Sequence, residues 1–577
     1  MIRKSLVALG TMAVVGFSPA ARADEEVPTF APTGPDVVEG ELAVDFKDDV
    51  PEAEMNAAAS ALGLTLHASS PWSHEHDKIE IAAVPAGKLT SVMAALAKDP
   101  RIEHVEPMSV FRASGWTPND PLYKDQWHLP RAGAEQAWSY GCGQGVTVAV
   151  IDTGVACFDH GPFSKGTDLK GTRCVGGYDF VNDRVEAADD NGHGTHVAGT
   201  IAQTTDNGHG VAGLAHCARL MPIKVLTGAG WGSVADVASG IRFAADHGAQ
   251  VINMSLGGRI KSDILESAVK HAVGKGVIIV AAAGNSRRSV EWPAAYPGVL
   301  AISATDQKDA LAWFSSRGPE VMIAAPGVDV TQQTVCNGGH DQCEIFGKFS
   351  GTSMASPHVA GAVALLVGQG VSELSAVKSA LAVAARAPTD PDPNKFGAGH
   401  LDAGNAVAHS HWGHTLTRLA LLFVLGFVVS RRVKAKGGTF DRGRAMIFGA
   451  LVGGIGLLAF APLLGVAPRL GAGRVALELL MRPFGEWDLV FDAGLHKWLP
   501  LANALPAIAL ASIFFGVPRL RSWLGGFALG SAALLVQLAW AAEVSTPFGS
   551  LGLRAWTVLN ALVCLFLARL ALDRRSA

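Results

Sequence analysis

The chain has 577 residues, too long for one ordinary domain and enough for three or four. Its net charge of -4 at pH 7 leaves no basic footprint, so a nucleic-acid partner is excluded. Charged residues make up only 17 % and apolar residues 49 %, and the imbalance is concentrated after residue 415.

The opening "MIRKSLVALGTMAVVGFSPAARA" has a basic start (Arg3, Lys4), an apolar core from Leu6 to Phe17 and an Ala21-Arg22-Ala23 cleavage pattern. Its apolar core is short for a membrane span, so residues 1–23 read as a signal peptide and the chain beyond Ala23 as exported. Residues 24–40 are rich in proline and acid, a composition that predicts disorder. From Glu41 to Phe111 the pattern is that of a small α+β module. "ELAVDF", "KIEIAAV" and "RIEHVEP" alternate as strands, and "EAEMNAAASALGL" and "KLTSVMAALAKD" carry helical spacing. This module occupies residues 24–115, and "SGWTPNDPLY" closes it as a linker.

Between residues 116 and 409 the pattern becomes α/β on a larger scale. "VTVAVID", "GAQVINMSLGG", "GVIIVAAAGN" and "VLAISATD" are apolar runs ending in small or polar residues. Helical stretches such as "GTHVAGTIAQ" and "SVADVASGIRFAAD" separate several of them. Strands apolar on both faces and joined by helices predict a parallel sheet covered on both sides. In such sheets functional groups gather beyond the carboxyl ends of strands, where Asp152 and Asn285 stand.

Residues 416–577 read as an all-α membrane domain. Five apolar spans are expected, at Leu416–Ser430, Met446–Ala467, Trp498–Val517, Trp523–Ala542 and Ala555–Leu572. With the α/β domain outside, "RRVKAK", "PRLRS" and "DRRSA" fall on the cytoplasmic side, as the positive-inside rule requires. The expectation is a multi-pass protein of the cell membrane, embedded in the lipid bilayer, with an extracytoplasmic α/β domain and a cytoplasmic C-terminus. Loops at Pro388–Pro393 and His409–His414 offer places where that domain would be cut free.

Six of the seven cysteines lie between Cys142 and Cys343, and export suits disulfides. Cys336 with Cys343 is the leading pair and Cys157 with Cys174 the next. Without C-x-x-C spacing metal binding is the weaker reading, and free buried thiols stay an alternative. Cys564 lies in the last apolar run.

The stretch "GTSMASPHVAGAVALL" raises a chemical question. Gly351 and Thr352 allow a tight turn, Pro357 suits a first helical turn, and Ser353 sits at a helix mouth that favours negative charge. A lone serine there is ordinarily a cap; a nucleophile needs a base, and the base an orienting acid. "VAVIDTGV" supplies Asp152 at a strand end, and "DDNGHGTHVAGT" supplies His193 between two glycines at a helix start. His196 and His358 are expected to pack inward.

These motifs, with "NMSLGG" and "VAAAGN" between them, resemble the subtilisin-like serine peptidases over roughly Asp120 to Ala408, in that family's Asp, His, Ser order. The resemblance implies a subtilisin-like fold and hydrolysis of peptide bonds in protein or peptide substrates. Ser353 would attack, His193 relay the proton, Asp152 orient the imidazole, and Asn285 with the Ser353 N–H bind the oxyanion. It also implies that Ser255, Leu256 and Gly257 pair with substrate, that Gly230 and Gly232 form the opposite wall, and that Gly284 joins the pocket floor. No acidic residue is assignable to that pocket from the sequence, and an apolar residue before the scissile bond (P1) is expected. No cofactor is required for catalysis. A structural calcium is implied for the loop "TTDNGHG", with Asp206 and Asn207 as ligands. The N-terminal module resembles the family's propeptide, an inhibitor of its own enzyme, with self-cleavage expected between Phe111 and Asp120. An alternative makes the five-span bundle a transporter or sensor with the peptidase as accessory; the spans carry few ionisable groups away from their ends, which disfavours it.

Overall fold

The computed structural model describes residues 37–85, 87–109, 116–335, 345–465 and 473–574. The expected signal peptide, the stretch 24–36, linker residues 110–115 and the Cys336 and Cys343 pair lie outside the described residues. The chain divides into two units, Met1–Ala113 and Ser114–Ala577.

The N-terminal unit is a four-stranded antiparallel sheet in the order β2-β3-β1-β4, from β1 (Val37–Phe46), β2 (Thr65–Ala68), β3 (Ile79–Ala83) and β4 (Ile102–Ser109). Alternation in β1 sends Leu42, Val44 and Phe46 to one face, where they meet Met55, Ala58, Val92, Met93 and Leu96 from the helices Glu52–Ser60 and Leu89–Leu96. The sequence reading missed β2, largely exposed and without alternation, and the helix Pro71–His76. That helix carried a readable signal: Ser70 caps it by accepting the Ser73 N–H at 3.0 Å, with proline at its first position.

The second unit holds an eight-stranded sheet, all of whose pairs are parallel. Its strands are β5 (Thr147–Asp152), β6 (Arg173–Cys174), β7 (Tyr178–Asp179), β8 (Arg219–Lys224), β9 (Val251–Met254), β10 (Ile278–Ala282), β11 (Val299–Thr305) and β12 (Val321–Pro326). The path runs β12-β11-β10-β9-β5-β8-β6, with β7 also on β8. After β8 the chain crosses to the far side of β5, so the order reverses beside Asp152. Ligand crevices form at such switch points. Side chains alternate between two cores. Val148, Val150, Ile278 and Val280 pack with the helices His193–Ala202 and Thr352–Gly368. Ala149, Ile151, Ile279 and Ala281 pack with Val234–Asp246 and Asp263–Gly274. The expected two-sided parallel sheet is the sheet observed.

Of the expected cysteine pairs, Cys157–Cys174 is bonded; a second disulfide joins Cys142 and Cys217, a pair absent from the sequence reading, and Cys564 is free and buried.

Beyond residue 400 the structure departs from the expected spans. Among the described residues three helices are long and apolar enough to cross a membrane: Ala403–Ala435, Pro518–Ala541 and Gly549–Leu572. The expected spans Met446–Ala467 and Trp498–Val517 instead yield helices of 11 residues (Arg444–Gly454) and 10 residues (Leu505–Phe514). The first ends where the Ile455 and Gly456 amides both turn back to the Leu451 carbonyl. Gly456 adopts φ 96°, and a Cβ there would meet the Met481 carbonyl oxygen at 2.5 Å. The second begins just after Asn503, whose side-chain oxygen accepts the Leu505 N–H at 2.7 Å, and it stops short of Pro518, where the next helix begins.

His409–His414 is no loop either. It lies inside the 33-residue helix Ala403–Ala435, whose start is capped by Asp402 accepting the Asn405 N–H at 2.8 Å. The residues after the first apolar helix also return to the sheet domain: Ala493 donates to the Gly145 carbonyl at 3.0 Å and Arg219 pairs with Asp492 at 3.0 Å. Among the helices, glycines set the closest approach. A Cβ at Gly449 would lie 2.1 Å from the Trp523 carbonyl oxygen, at Gly453 2.4 Å from that of Phe527, and at Gly526 1.9 Å from that of Met446.

Candidate active site

At the carboxyl edge of the sheet a cleft of about 900 Å3 is lined by His193, Ser353, Asn285, Ser255, Leu256, Gly257, Gly284, Gly230 and Gly232. Every substrate-binding residue named from the sequence lines this one cleft, and Asp152 reaches it through His193.

Asp152 ends β5 and is fully buried. Its Oδ1 stands 2.7 Å from His193 Nδ1 and also accepts the Thr153 N–H at 2.7 Å. Asp189 fixes this arrangement. It accepts the Gly192 and Thr195 N–H groups at 2.9 Å each and the Thr153 hydroxyl at 2.9 Å, so the turn after β5 and the His193 helix start hang from one carboxylate. Gly194 permits their contact, because a Cβ there would lie 2.0 Å from the Gly154 carbonyl oxygen. Burial of the His193 ring opposes its protonation, but the Asp152 carboxylate, helped by Asp189, outweighs it and holds the pKa above the ordinary imidazole value. His196 and His358 pack inward as expected: both are fully buried, and desolvation holds their pKa values down to about 3 and about 4.

Ser353 is half-buried in the first turn of its helix, where backbone N–H groups lack intrahelical acceptors. Its hydroxyl donates to the Ser255 carbonyl oxygen at 3.1 Å. Pro357 lies inside the helix and not at its first position. Lacking an N–H, it leaves the Ser353 carbonyl free, and the Ser255 hydroxyl donates there at 2.7 Å. Asn285, exposed beyond β10, is oriented by its oxygen, which accepts the Thr352 N–H and hydroxyl at 2.9 Å each. Its amide nitrogen stands beside Gly351, 3.4 Å from where a Cβ would be. This leaves N–H donors of Asn285 and Ser353 at the same mouth.

Sequence reasoning missed two features. Glu291 lines the cleft next to Gly257 and Gly284. The loop of Asp206 and Asn207, the residues named for calcium, is held by two buried carboxylates from elsewhere in the chain, Asp120 and Asp168. Asp120 accepts the Asp206 N–H at 2.7 Å, and Asp168 accepts the Asn207 side-chain amide at 2.7 Å and the Val211 N–H at 2.9 Å. Asp206 itself accepts the Asn119 N–H at 3.1 Å. Burial raises the pKa of both carboxyls, that of Asp168 to about 6.

The chain is similar to known proteins over two of its parts. Residues 143–399 match the Subtilase family and residues 23–108 the Fervidolysin N-terminal prodomain. The thermophilic serine proteinase of Bacillus sp. (strain AK1) is 40 % identical over 336 residues, 58 % of this chain and 79 % of that protein. Thermitase of Thermoactinomyces vulgaris is 41 % identical over 261 residues, 44 % of this chain and 88 % of the relative. Subtilisin DY of Bacillus licheniformis is 43 % identical over 244 residues, 41 % and 82 % of the two chains. Such relatives define a serine-type endopeptidase with a propeptide. The chain belongs to the subtilase family.

Proposed function

We propose that this protein is a membrane-anchored, extracytoplasmic serine endopeptidase acting through Asp152, His193 and Ser353. The observation that carries the reading is the 2.7 Å contact of His193 Nδ1 with a fully buried Asp152, over the cleft that also holds Ser353 and Asn285. Rotation of the Ser353 hydroxyl off the Ser255 carbonyl directs it to His193 Nε2. Its oxygen then attacks the peptide carbonyl while the imidazole takes the proton, and Asp152 stabilises the imidazolium. The developing oxyanion receives the Asn285 side-chain amide and the Ser353 N–H. The imidazolium returns the proton to the leaving amine, and water repeats the sequence on the acyl-enzyme. Labelling of the purified chain by a fluorophosphonate, lost in Ser353→Ala, tests this; an unlabelled wild type with intact fold would reject it.

Three long apolar helices support membrane anchoring. The basic ends Arg431, Arg432 and Lys434 of the first, Arg519 and Arg521 of the second, and Arg574 beyond the third support cytoplasmic positions for these ends. The propeptide acts as inhibitor until self-cleavage between Phe111 and Asp120. A structural calcium would take oxygen ligands from the loop of Asp206 and Asn207, against which the buried carboxylates of Asp120 and Asp168 lie. A rise in melting temperature on adding calcium, absent in Asp168→Asn, is the expected result; equal melting in calcium and in chelator would remove it.

A further inference from the structure

The cleft contains a charge that the sequence reading did not place. Beyond Asn285 the chain returns to the sheet edge, and the Glu291 N–H donates to the Ala283 carbonyl at 2.9 Å. Trp292 exchanges two hydrogen bonds with Gly258, at 2.8 and 2.9 Å. Residues 291–292 therefore tie together the two walls of the pocket, Ser255–Gly258 on one side and Ala282–Asn285 on the other.

The Glu291 side chain enters the gap between the glycines of those walls. Its Oε2 lies 2.9 Å from where a Cβ of Gly257 would be and 2.8 Å from that of Gly284. Gly284, at φ 106°, is confined to glycine by its backbone as well as by this carboxylate. Glu291 is half-buried, and among the described residues no ion pair or side-chain hydrogen bond reaches its carboxylate. Arg259 also lines the cleft without bridging to it.

We propose that Glu291 is the specificity-determining residue of this cleft and selects substrates with arginine or lysine at P1. This rests on the peptidase reading above and replaces the apolar P1 residue expected from the sequence. An apolar side chain filling the pocket would strip water from the carboxylate and return nothing to it. A basic side chain lays its methylenes along Leu256 and Ala282, which line the cleft, and meets the carboxylate with its charged end. Arginine adds a bidentate match. In the sequence Glu291 stands in "NSRRSVEWPAA", beside Arg287 and Arg288, and looks like part of a solvated charged turn. Only the fold turns it inward.

The test uses the full chain purified in detergent and a set of chromogenic peptides identical except for Arg, Lys, Phe or Leu at P1. The expected result is a higher kcat/KM for Arg and Lys than for Phe and Leu in the wild type. In Glu291→Gln the Arg-to-Phe ratio should fall on the order of 10- to 100-fold, the worth of one charge-assisted contact, and Glu291→Asp should retain part of it. Wild-type protein labelled at Ser353 by a fluorophosphonate that nevertheless prefers Phe or Leu would overturn this assignment and leave the peptidase reading standing. So would a ratio unchanged in Glu291→Gln. Absence of both labelling and turnover would remove the peptidase reading and this inference with it. Where Glu291→Gln fails to fold, the wild-type preference alone decides.

Discussion

The sheet domain and the helices beyond it are both marked in the sequence by apolar runs, yet the runs predict the two regions unequally well. In the sheet domain each run ends where chemistry begins, and the structure keeps those endpoints: Asp152 closes β5, and Asn285 stands just past β10. In the helical region runs of equal apolarity do not make equal helices. The expected span Met446–Ala467 meets only the 11-residue helix Arg444–Gly454, whereas Pro518–Ala541 is continuous for 24. Hydropathy counts side chains, but helix length is decided by backbone, through a glycine in a left-handed conformation or a proline that opens the next helix. A strand end marked by a polar group therefore carries more positional information than a span marked only by greasiness.

The comparison breaks first at the serine. Ser353→Ala should reduce kcat on the order of a million-fold, the size measured in subtilisin itself, with the fold intact by circular dichroism. A smaller loss would mean that the helix mouth caps rather than attacks. Asn285→Ala should lower kcat about 100- to 1000-fold with KM little changed, since its amide acts on charge that develops only in the transition state. Steady-state kinetics on one peptide measures both. A change confined to KM would place Asn285 among ground-state contacts instead.

The helical region makes the opposite demand. Gly453→Leu drives a side chain toward the Phe527 carbonyl oxygen, 2.4 Å from the Cβ position. It should destabilise by about 1–3 kcal/mol and lower the melting temperature in detergent, while kcat/KM on a short peptide stays at the wild-type value. Loss of peptidase activity in step with melting would show that the two regions are one energetic unit, a result that the contacts of Arg219 with Asp492 and of Gly145 with Ala493 make worth measuring.

Much of the site was legible because its parts are local. A buried carboxylate at a strand end, a histidine between glycines and a serine before an apolar helix each leave a short signature, and the structure brings all three to one cleft edge. The hidden remainder depends on distant chain. Asp189 holds the His193 helix against Thr153 through bonds no motif announces, and Cys142 finds Cys217 at a separation of 75 residues. Glu291 reaches the pocket only because a reciprocal bridge pins Trp292 to Gly258. In the fold, β2 escaped for a simpler reason: it is largely exposed and lacks the alternation that betrays a strand.

The smallest effect concerns pH and bears on the sheet domain alone. His193 acts as a base only when neutral, and its pKa stands above the ordinary imidazole value, because the pull of Asp152 outweighs the opposing burial. The acid limb of kcat/KM should therefore lie above about 6.5, the free imidazole value, with activity lost as the pH falls through the raised pKa. The stability consequence has the reverse sense. The ion pair stabilises the fold fully below the unfolded imidazole pKa and fades as the pH rises through the folded one. Activity and this part of stability thus trade against each other across the same narrow window. A kcat/KM profile measured beside chemical denaturation midpoints would test the coupling. An acid limb at or below the free value would mean that Asp152 orients the ring without holding its charge.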